Sequence, residues 1–259
     1  MPAAAEMASG CSGDHSELTP ATEKGGFKAS AAAGQPTLAD ALWAAYRAAP
    51  RPKPCSKELV EAFAFMKKVE PLLFKRKRSR SKPAADQQPA PAPPPPPVGT
   101  ALDVCGGHAI LALLLLIYRK AARSIVLDID SPRSFGTMVA AWTPWLPAGV
   151  GVEVRHGDIH DTLPVLLTEL NAGQSLRSPP APASVTICAI HACDFLTDLV
   201  IDSAISSRAA FAVMPCCHKD RHRGQLRQAA RSLAIDLGAV IDIVRMGKVW
   251  DRDYGCVSI

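Results

Sequence analysis

Short apolar runs alternate with amphipathic segments along residues 99–259. The short runs have the length of buried strands, and the segments between them repeat apolar residues at helical spacing. Strands separated by helices predict a parallel sheet with helices on both faces, so we expect an α/β fold with a doubly wound, mostly parallel sheet. The predicted strands are 101–104, 124–127, 150–155, 185–190, 210–214 and 240–244, and the predicted helices are 110–119, 135–142, 162–170, 197–206 and 225–237.

The first part of the chain has a different pattern. Residues 1–36 are rich in Ala, Gly, Ser and Thr without a sustained period, and we predict that they are disordered. Residues 37–74 predict a helical segment of two helices. Thr37 is the expected N-cap of the first and Ser56 of the second, which Pro71 kinks or ends. We expect the second helix to pack on the domain that follows.

Residues 75–98 predict a linker. They begin with the basic run Lys75–Lys82 and continue almost entirely as Pro and Ala. The net charge is +5, and all of this excess lies within residues 1–100. The basic run is typical of a nuclear-localisation signal or a nucleic-acid-binding arm, or it is a solvated flank of the linker. The domain that follows, residues 99–259, is neutral overall.

The eight cysteines are expected to be reduced, in the cytoplasm or the nucleus. The N-terminus lacks the basic start and apolar core of a secretory signal. The longest strongly apolar run, Ala109–Ile117, is too short to span a bilayer, so we expect no membrane partner. A last short strand is expected to begin at Cys256, and the chain stops there, so we expect the usual end of such a sheet to be cut short.

The candidate chemistry lies just after the strands, because open α/β sheets bind ligands at the carboxyl ends of their strands. Residues 100–109 predict a strand, a turn of small residues and then a helix. This stretch contains the acidic residue Asp103 and no Lys or Arg. Its charge therefore disfavours a ligand with a phosphate and favours one with an ammonium group. Asp128 follows the second strand, where it can accept from ribose hydroxyls. S-adenosyl-L-methionine has an amine and a ribose without a phosphate, and is the cofactor that we predict.

This part of the chain resembles the class I S-adenosylmethionine-dependent methyltransferases. Their first motif, acidic-x-Gly-x-Gly-x-Gly, is similar to Asp103-Val-Cys-Gly-Gly-His-Ala109, where Cys105 and Ala109 replace the outer glycines. The resemblance covers roughly residues 100–245 and implies a seven-stranded, Rossmann-like methyltransferase fold. The cofactor-binding residues that we predict are Asp103, Cys105, Gly106, Gly107, Asp128, Asp158 and Ile159.

Two further segments are similar to one subgroup of that family, which includes RNA methyltransferase-like proteins. They are His191-Ala-Cys-Asp-x-x-Thr-Asp198 and Pro215-Cys-Cys-His218, after the fourth and fifth predicted strands. The resemblance implies that His191 and Asp194 lie at the reacting end of the cofactor, as candidate catalytic residues, and that RNA is a candidate acceptor.

Each of these residues also has a plainer interpretation. Asp103 could cap the helix that follows it. His191 could be a histidine at a strand end whose hydrogen bonds are satisfied within the protein. Asp194 or Asp198 could cap the next helix. A further set invites a zinc interpretation, but it contains no Cys-x-x-Cys pair, and we predict no metal site. That set is Cys216, Cys217, His218 and His222.

The sequence therefore predicts S-adenosylmethionine-dependent methyl transfer to an unidentified acceptor. A basic edge after the fifth strand either faces an anionic acceptor such as RNA or is a solvated helix face. The alternative function is a catalytically inactive methyltransferase-like fold that acts as a partner- or nucleic-acid-binding module. The residues of the basic edge are Lys219, Arg221, Arg223, Arg227 and Arg231.

Overall fold

The computed structural model describes residues 36–74, 98–172, 185–193, 195–215, 224–234 and 236–250. Three predictions concern residues outside this part of the chain: the disorder of residues 1–36, of which only residue 36 is described, the linker up to residue 97, and the strand at Cys256. The chain divides into two units between Ala41 and Leu42, inside the first helix.

A parallel sheet lies at the centre of the larger unit. In the described residues it has five strands, β1 Val98–Val104, β2 Ala121–Asp128, β3 Val152–His156, β4 Val185–Ala189 and β5 Ala210–Val213. They lie in the order β3-β2-β1-β4-β5, and every neighbouring pair is parallel. This is the strand order of doubly wound nucleotide-binding sheets, which confirms the predicted Rossmann-like α/β class. The resemblance implies seven strands.

Helices cover both faces of the sheet. The helices before and after β1 pack on one face, and those after β3 and β4 pack on the other. The described helices are α1 Leu38–Ala48, α2 Ser56–Val69, α3 Ile110–Ile117, α4 Ser134–Trp142, α5 Ile159–Asn171, α6 Phe195–Ser207, α7 Gly224–Leu233 and α8 Leu237–Trp250.

The strand predicted at 240–244 is wrong, since these residues lie inside α8. A short β-branched run does not distinguish a strand from a buried stretch of helix. The buried residues Val240, Ile241, Arg245 and Val249 recur at helical spacing, which places them on one side of α8.

An ion pair holds α8 against α6. The side chain of Arg245 is 5% exposed, and its Nε and Nη2 lie 3.3 Å from the two carboxylate oxygens of Asp198. Asp198 therefore lies inside α6 and pairs with α8, so the alternative in which it caps α6 is wrong.

Helix α3 is apolar on every side, and all of its residues are buried. One side faces the sheet, and α2 packs on another, as the sequence predicts. A helix that is hydrophobic all round needs cover on all its faces. The N-terminal helix α2 supplies part of that cover.

The caps of the two N-terminal helices differ from each other. Thr37 Oγ1 accepts from Asp40 N at 3.2 Å, and Asp40 accepts in return from Thr37 N, which confirms the predicted cap. The predicted cap at Ser56 is wrong, because Ser56 is the first residue of α2 and Cys55 precedes it. Helix α2 ends at Val69, and a turn of π-helix that contains Pro71 follows.

Aromatic side chains hold α2 and the part of α1 from Leu42 onward against α4. Trp142 is fully buried in α4, and its Nε1 donates to the Leu42 carbonyl at 3.1 Å. Phe63 of α2 packs edge-on against Trp142 and stacks on Trp43 of α1. These contacts position α2 beside the carboxyl end of β1.

Among the described helices, none combines the length and the apolar character needed to cross a membrane.

Candidate functional site

The strand order reverses between β1 and β4, and a cavity of about 240 Å³ lies at this switch point. Chain segments leave the two strands in different directions there, which opens a crevice at their carboxyl ends. The cavity is lined by the turn after β1, the start of α3, the end of β4 and one side of α2. The lining residues are Asp103, Cys105, Gly106, Gly107, His108, Ile110, Leu111, Ile190, His191, Glu58 and Ala62.

The turn after β1 has left-handed backbone at two residues that are not glycine. Cys105 and Ala109 each have a φ of 59°, and they are the positions where the resembled motif has its outer glycines. An L-residue in this conformation costs roughly 1–2 kcal/mol, because its Cβ approaches the following carbonyl. The turn therefore has left-handed backbone where the motif has its outer glycines, although alanine and cysteine occupy those positions.

This strain predicts an asymmetry between two buried alanines. Ala109→Gly is expected to be roughly 1–2 kcal/mol less destabilising than Ala112→Gly, because only Ala109 has a positive φ. Both alanines are fully buried, so both changes remove the same methyl group from the core. Urea unfolding of the two variants measures the difference, and equal losses of stability would contradict a strained turn.

Gly106 is required for a different reason, which is space. A Cβ at Gly106 would lie 2.5–2.8 Å from the carboxyl atoms of Asp103. At Gly107 the nearest atom would be Asp128 Oδ2 at 3.5 Å, an ordinary contact. The sequence motif places Gly106 at a variable position, so only the fold shows why it is glycine.

Asp103 is 2% exposed and lies beneath the turn. Its Oδ2 accepts from Ala112 N at 3.0 Å, which is the alternative role of Asp103 as a cap of the following helix. Asp103 also lines the cavity. Burial raises the pKa of Asp103 to about 7, the hydrogen bond from Ala112 opposes this rise, and the charge of Asp128 adds to it. A cation beside this carboxyl group would favour its ionised form.

Asp128 connects the end of β2 to the same turn. Its Oδ2 accepts from Gly107 N at 2.9 Å and its Oδ1 accepts from Ile129 N at 2.7 Å. Asp128 does not belong to the cavity lining. Its assignment to a ribose remains a prediction.

Asp158 and Ile159 also lie outside the cavity lining. Asp158 is the N-cap of α5 and accepts from His160 N at 2.8 Å. Ile159 is buried in the core between α5 and the sheet. The structure thus brings Asp103, Cys105, Gly106, Gly107 and His191 around one cavity. It gives Asp158 and Ile159 structural contacts elsewhere.

His191 lines the cavity from the end of β4, and its Nε2 lies 3.9 Å from Glu61 Oε2. Asp194 lies outside the described residues, as do the four residues of the zinc interpretation. Thr197 Oγ1 donates to the Ala192 carbonyl and closes the loop that follows His191.

The thiols divide into two kinds. Cys55, Cys105 and Cys188 form no disulfide, whereas Cys193 is disulfide-bonded, in contrast to the expectation of reduced thiols. Burial raises the pKa of the Cys105 thiol to about 12, with a contribution from Asp128 and Asp103. Cys105 is therefore a neutral thiol in the turn at physiological pH, unsuited to act as a nucleophile.

Sequence reasoning missed the contribution of α2 and of His108. Glu58 Oε2 lies 3.1 Å from His108 Nε2, and His108 Nδ1 lies 2.6 Å from Ser134 Oγ. The signal available in the sequence was the spacing of Glu58, Ala62 and Phe65, which places a carboxylate on the buried side of an amphipathic helix.

The charged side chains that line the cavity are acidic. Glu58 and Asp103 supply carboxyl groups, and His108 and His191 supply imidazoles. No Lys or Arg occurs among the described residues of the lining. The cavity is suited to a cationic or neutral polar group and unsuited to a phosphate.

No family model matches this chain. A stretch of 30 residues, 12% of the chain, is 57% identical to a glutathione S-transferase C-terminal domain-containing protein of Xenopus laevis. The match spans 5% of that protein's length. This similarity is local and does not assign the chain to a family.

Proposed function

We propose that this chain binds S-adenosyl-L-methionine at the switch point and transfers its methyl group to an acceptor. The observation that carries the proposal is the cavity between β1 and β4, which has two carboxyl groups and, in the described lining, no cationic side chain. Such a lining fits the amine of the cofactor and disfavours cofactors that carry phosphate.

The cavity is suited to the amino-acid part of this cofactor. About 240 Å³ is less than the roughly 300–1,000 Å³ of pockets that enclose a whole small molecule. In the proposed arrangement the turn at Asp103 holds the methionine part, Asp128 binds the ribose and Asp158 faces the adenine. Ribose and adenine would then lie in the open crevice along the ends of β2 and β3.

The cofactor supplies a sulfonium methyl group that a nucleophile can displace directly. The protein's part is to orient the acceptor and to exclude water, so a dedicated base is not required. His191 and Asp194, with residues 215–218, are the proposed walls of the reacting end.

RNA is the acceptor that we propose. Arg227 and Arg231 are exposed on α7 and would contribute to a basic edge with Lys219, Arg221 and Arg223. We also propose a cytoplasmic or nuclear location, with Lys75–Lys82 as a nuclear signal or an RNA-binding arm.

Titration with labelled S-adenosylmethionine tests the proposal. We expect saturable binding, and we expect Asp128→Ala to weaken it about tenfold through loss of a charged acceptor. Asp128→Asn is the control, since its amide oxygen can still accept from Gly107 N. Methyl transfer to fractionated RNA, protein and small-molecule pools then identifies the acceptor. Absence of saturable binding to the wild-type chain would contradict the proposal.

A second candidate function is a partner-binding module without methyl transfer. It is favoured by Asp128, because both of its carboxylate oxygens already accept backbone hydrogen bonds within the protein. It is favoured also by the strained turn at Cys105 and Ala109. The same titration separates the two functions, since this one predicts no saturable cofactor binding.

A further inference from the structure

We propose that α2 is part of the ligand site and that Glu58 is the second carboxylate of a subsite for a primary ammonium group. This inference rests on the proposed function, because the amino-acid part of the cofactor carries such a group. It adds a binding residue from an N-terminal helix that the sequence motifs do not include.

The first observation is the state of the Glu58 carboxylate. Its Oε1 accepts from the Cys55 thiol at 3.7 Å. Its Oε2 is buried and makes no hydrogen bond in the described structure, although His108 Nε2 lies 3.1 Å away. A buried carboxylate oxygen without a donor costs free energy, which a ligand N–H would recover.

The second observation is the distribution of charge around the cavity. Glu58 approaches from α2 and Asp103 from beneath the turn, so carboxyl groups belong to two different walls. The other titratable side chains of the lining are the Cys105 thiol and the imidazoles of His108 and His191. An ammonium group has three donors and no acceptor, which matches a lining that offers carboxyl groups and no cationic side chain among its described residues.

The size of the cavity limits the ligand further. About 240 Å³ accommodates a short aminoalkyl or amino-acid chain, whereas a nucleoside as well would exceed the space. The subsite therefore contributes to the affinity for the amino-acid part and not to that for the nucleoside. This separation makes the role of Glu58 measurable.

Isothermal titration of the full chain with two ligands tests this role. S-adenosylhomocysteine carries the amino-acid part, and 5′-methylthioadenosine is the related nucleoside thioether without it. Glu58→Gln is expected to weaken S-adenosylhomocysteine about tenfold and to change methylthioadenosine less than about twofold. The amide has nearly the same shape, so the change removes charge and little packing.

Glu61→Gln is the matched control. Glu61 lies on the same helix with its side chain 28% exposed, against 27% for Glu58, and it faces His191 without lining the cavity. Its substitution is expected to leave both affinities within about twofold. Far-ultraviolet circular dichroism and urea unfolding of each variant check that the fold is retained.

The outcomes separate the two proposals. If the wild-type chain binds S-adenosylhomocysteine and Glu58→Gln binds it equally well, the subsite is wrong and the proposed function stands. Equal weakening of both ligands by Glu58→Gln would assign Glu58 to holding α2 in place, which also overturns the subsite. If the wild-type chain binds neither ligand, the proposed function fails and the subsite fails with it.

Discussion

Replacement of Gly106 by alanine is expected to lower the free energy of unfolding by on the order of 4 kcal/mol. The added Cβ would overlap the carboxyl group of Asp103, which is buried and bonded to Ala112 N. Relief requires displacement of that carboxyl group, which combines overpacking of the core with loss of the hydrogen bond from Ala112 N. Urea unfolding measures the loss, and titration with S-adenosylmethionine is expected to show no binding below millimolar concentration.

Gly107→Ala is the control for this substitution. The same atom is added one residue along the turn, where the nearest neighbours lie at ordinary contact distance. Its expected effect on stability is within about 1 kcal/mol. Equal losses for the two variants would show that the turn is sensitive to any side chain, and that the contact with Asp103 is not the cause.

The stability of the protein is expected to fall as pH rises from about 5 to 8, through the ionisation of Asp103. Its pKa is about 7 in the folded chain, against an ordinary value of 3.8. Between these values the folded state binds more protons than the unfolded state, so the free energy of unfolding decreases with rising pH. The contribution is complete below pH 3.8 and is lost above pH 7, a change of about 4 kcal/mol.

Asp103→Asn isolates this contribution from the other titrating groups. The amide stays uncharged and retains an acceptor for Ala112 N, so the variant lacks the slope due to Asp103. The difference in unfolding free energy between wild type and variant is expected to change by on the order of 3 kcal/mol from pH 5 to pH 8. Parallel profiles would show that Asp103 does not titrate in this range.

Much of the fold could be predicted because the strands are short apolar runs with helical segments between them. The sequence predicts a strand at 185–190, and β4 lies at Val185–Ala189. The error at α8 has a physical origin, since four of the five residues 240–244 are apolar and β-branched and suit either structure. The ion pair between Arg245 and Asp198, which joins α8 to α6, links residues far apart in the sequence, so no local pattern predicts it.

The candidate site was predictable only where it follows strand ends. The turn at Asp103 and the position of His191 follow from the rule that parallel strands present their carboxyl ends together. Glu58 and Ala62 reach the cavity through the packing of α2 on α3, which no local pattern specifies. The contact between Asp103 and Gly106 is likewise a matter of side-chain direction, which a motif does not contain.

Helix α3 has a consequence for how this chain can be divided. Helix α2 covers part of its outer surface, so a fragment that begins at Val98 would expose leucine and isoleucine side chains of α3 to water. Such a surface favours association between molecules over folding. The Pro- and Ala-rich stretch separates α2 from β1 in the sequence, but α2 and the domain after β1 share one hydrophobic core. A fragment whose core stays buried must therefore include α2, and the same fragment retains the complete lining of the cavity.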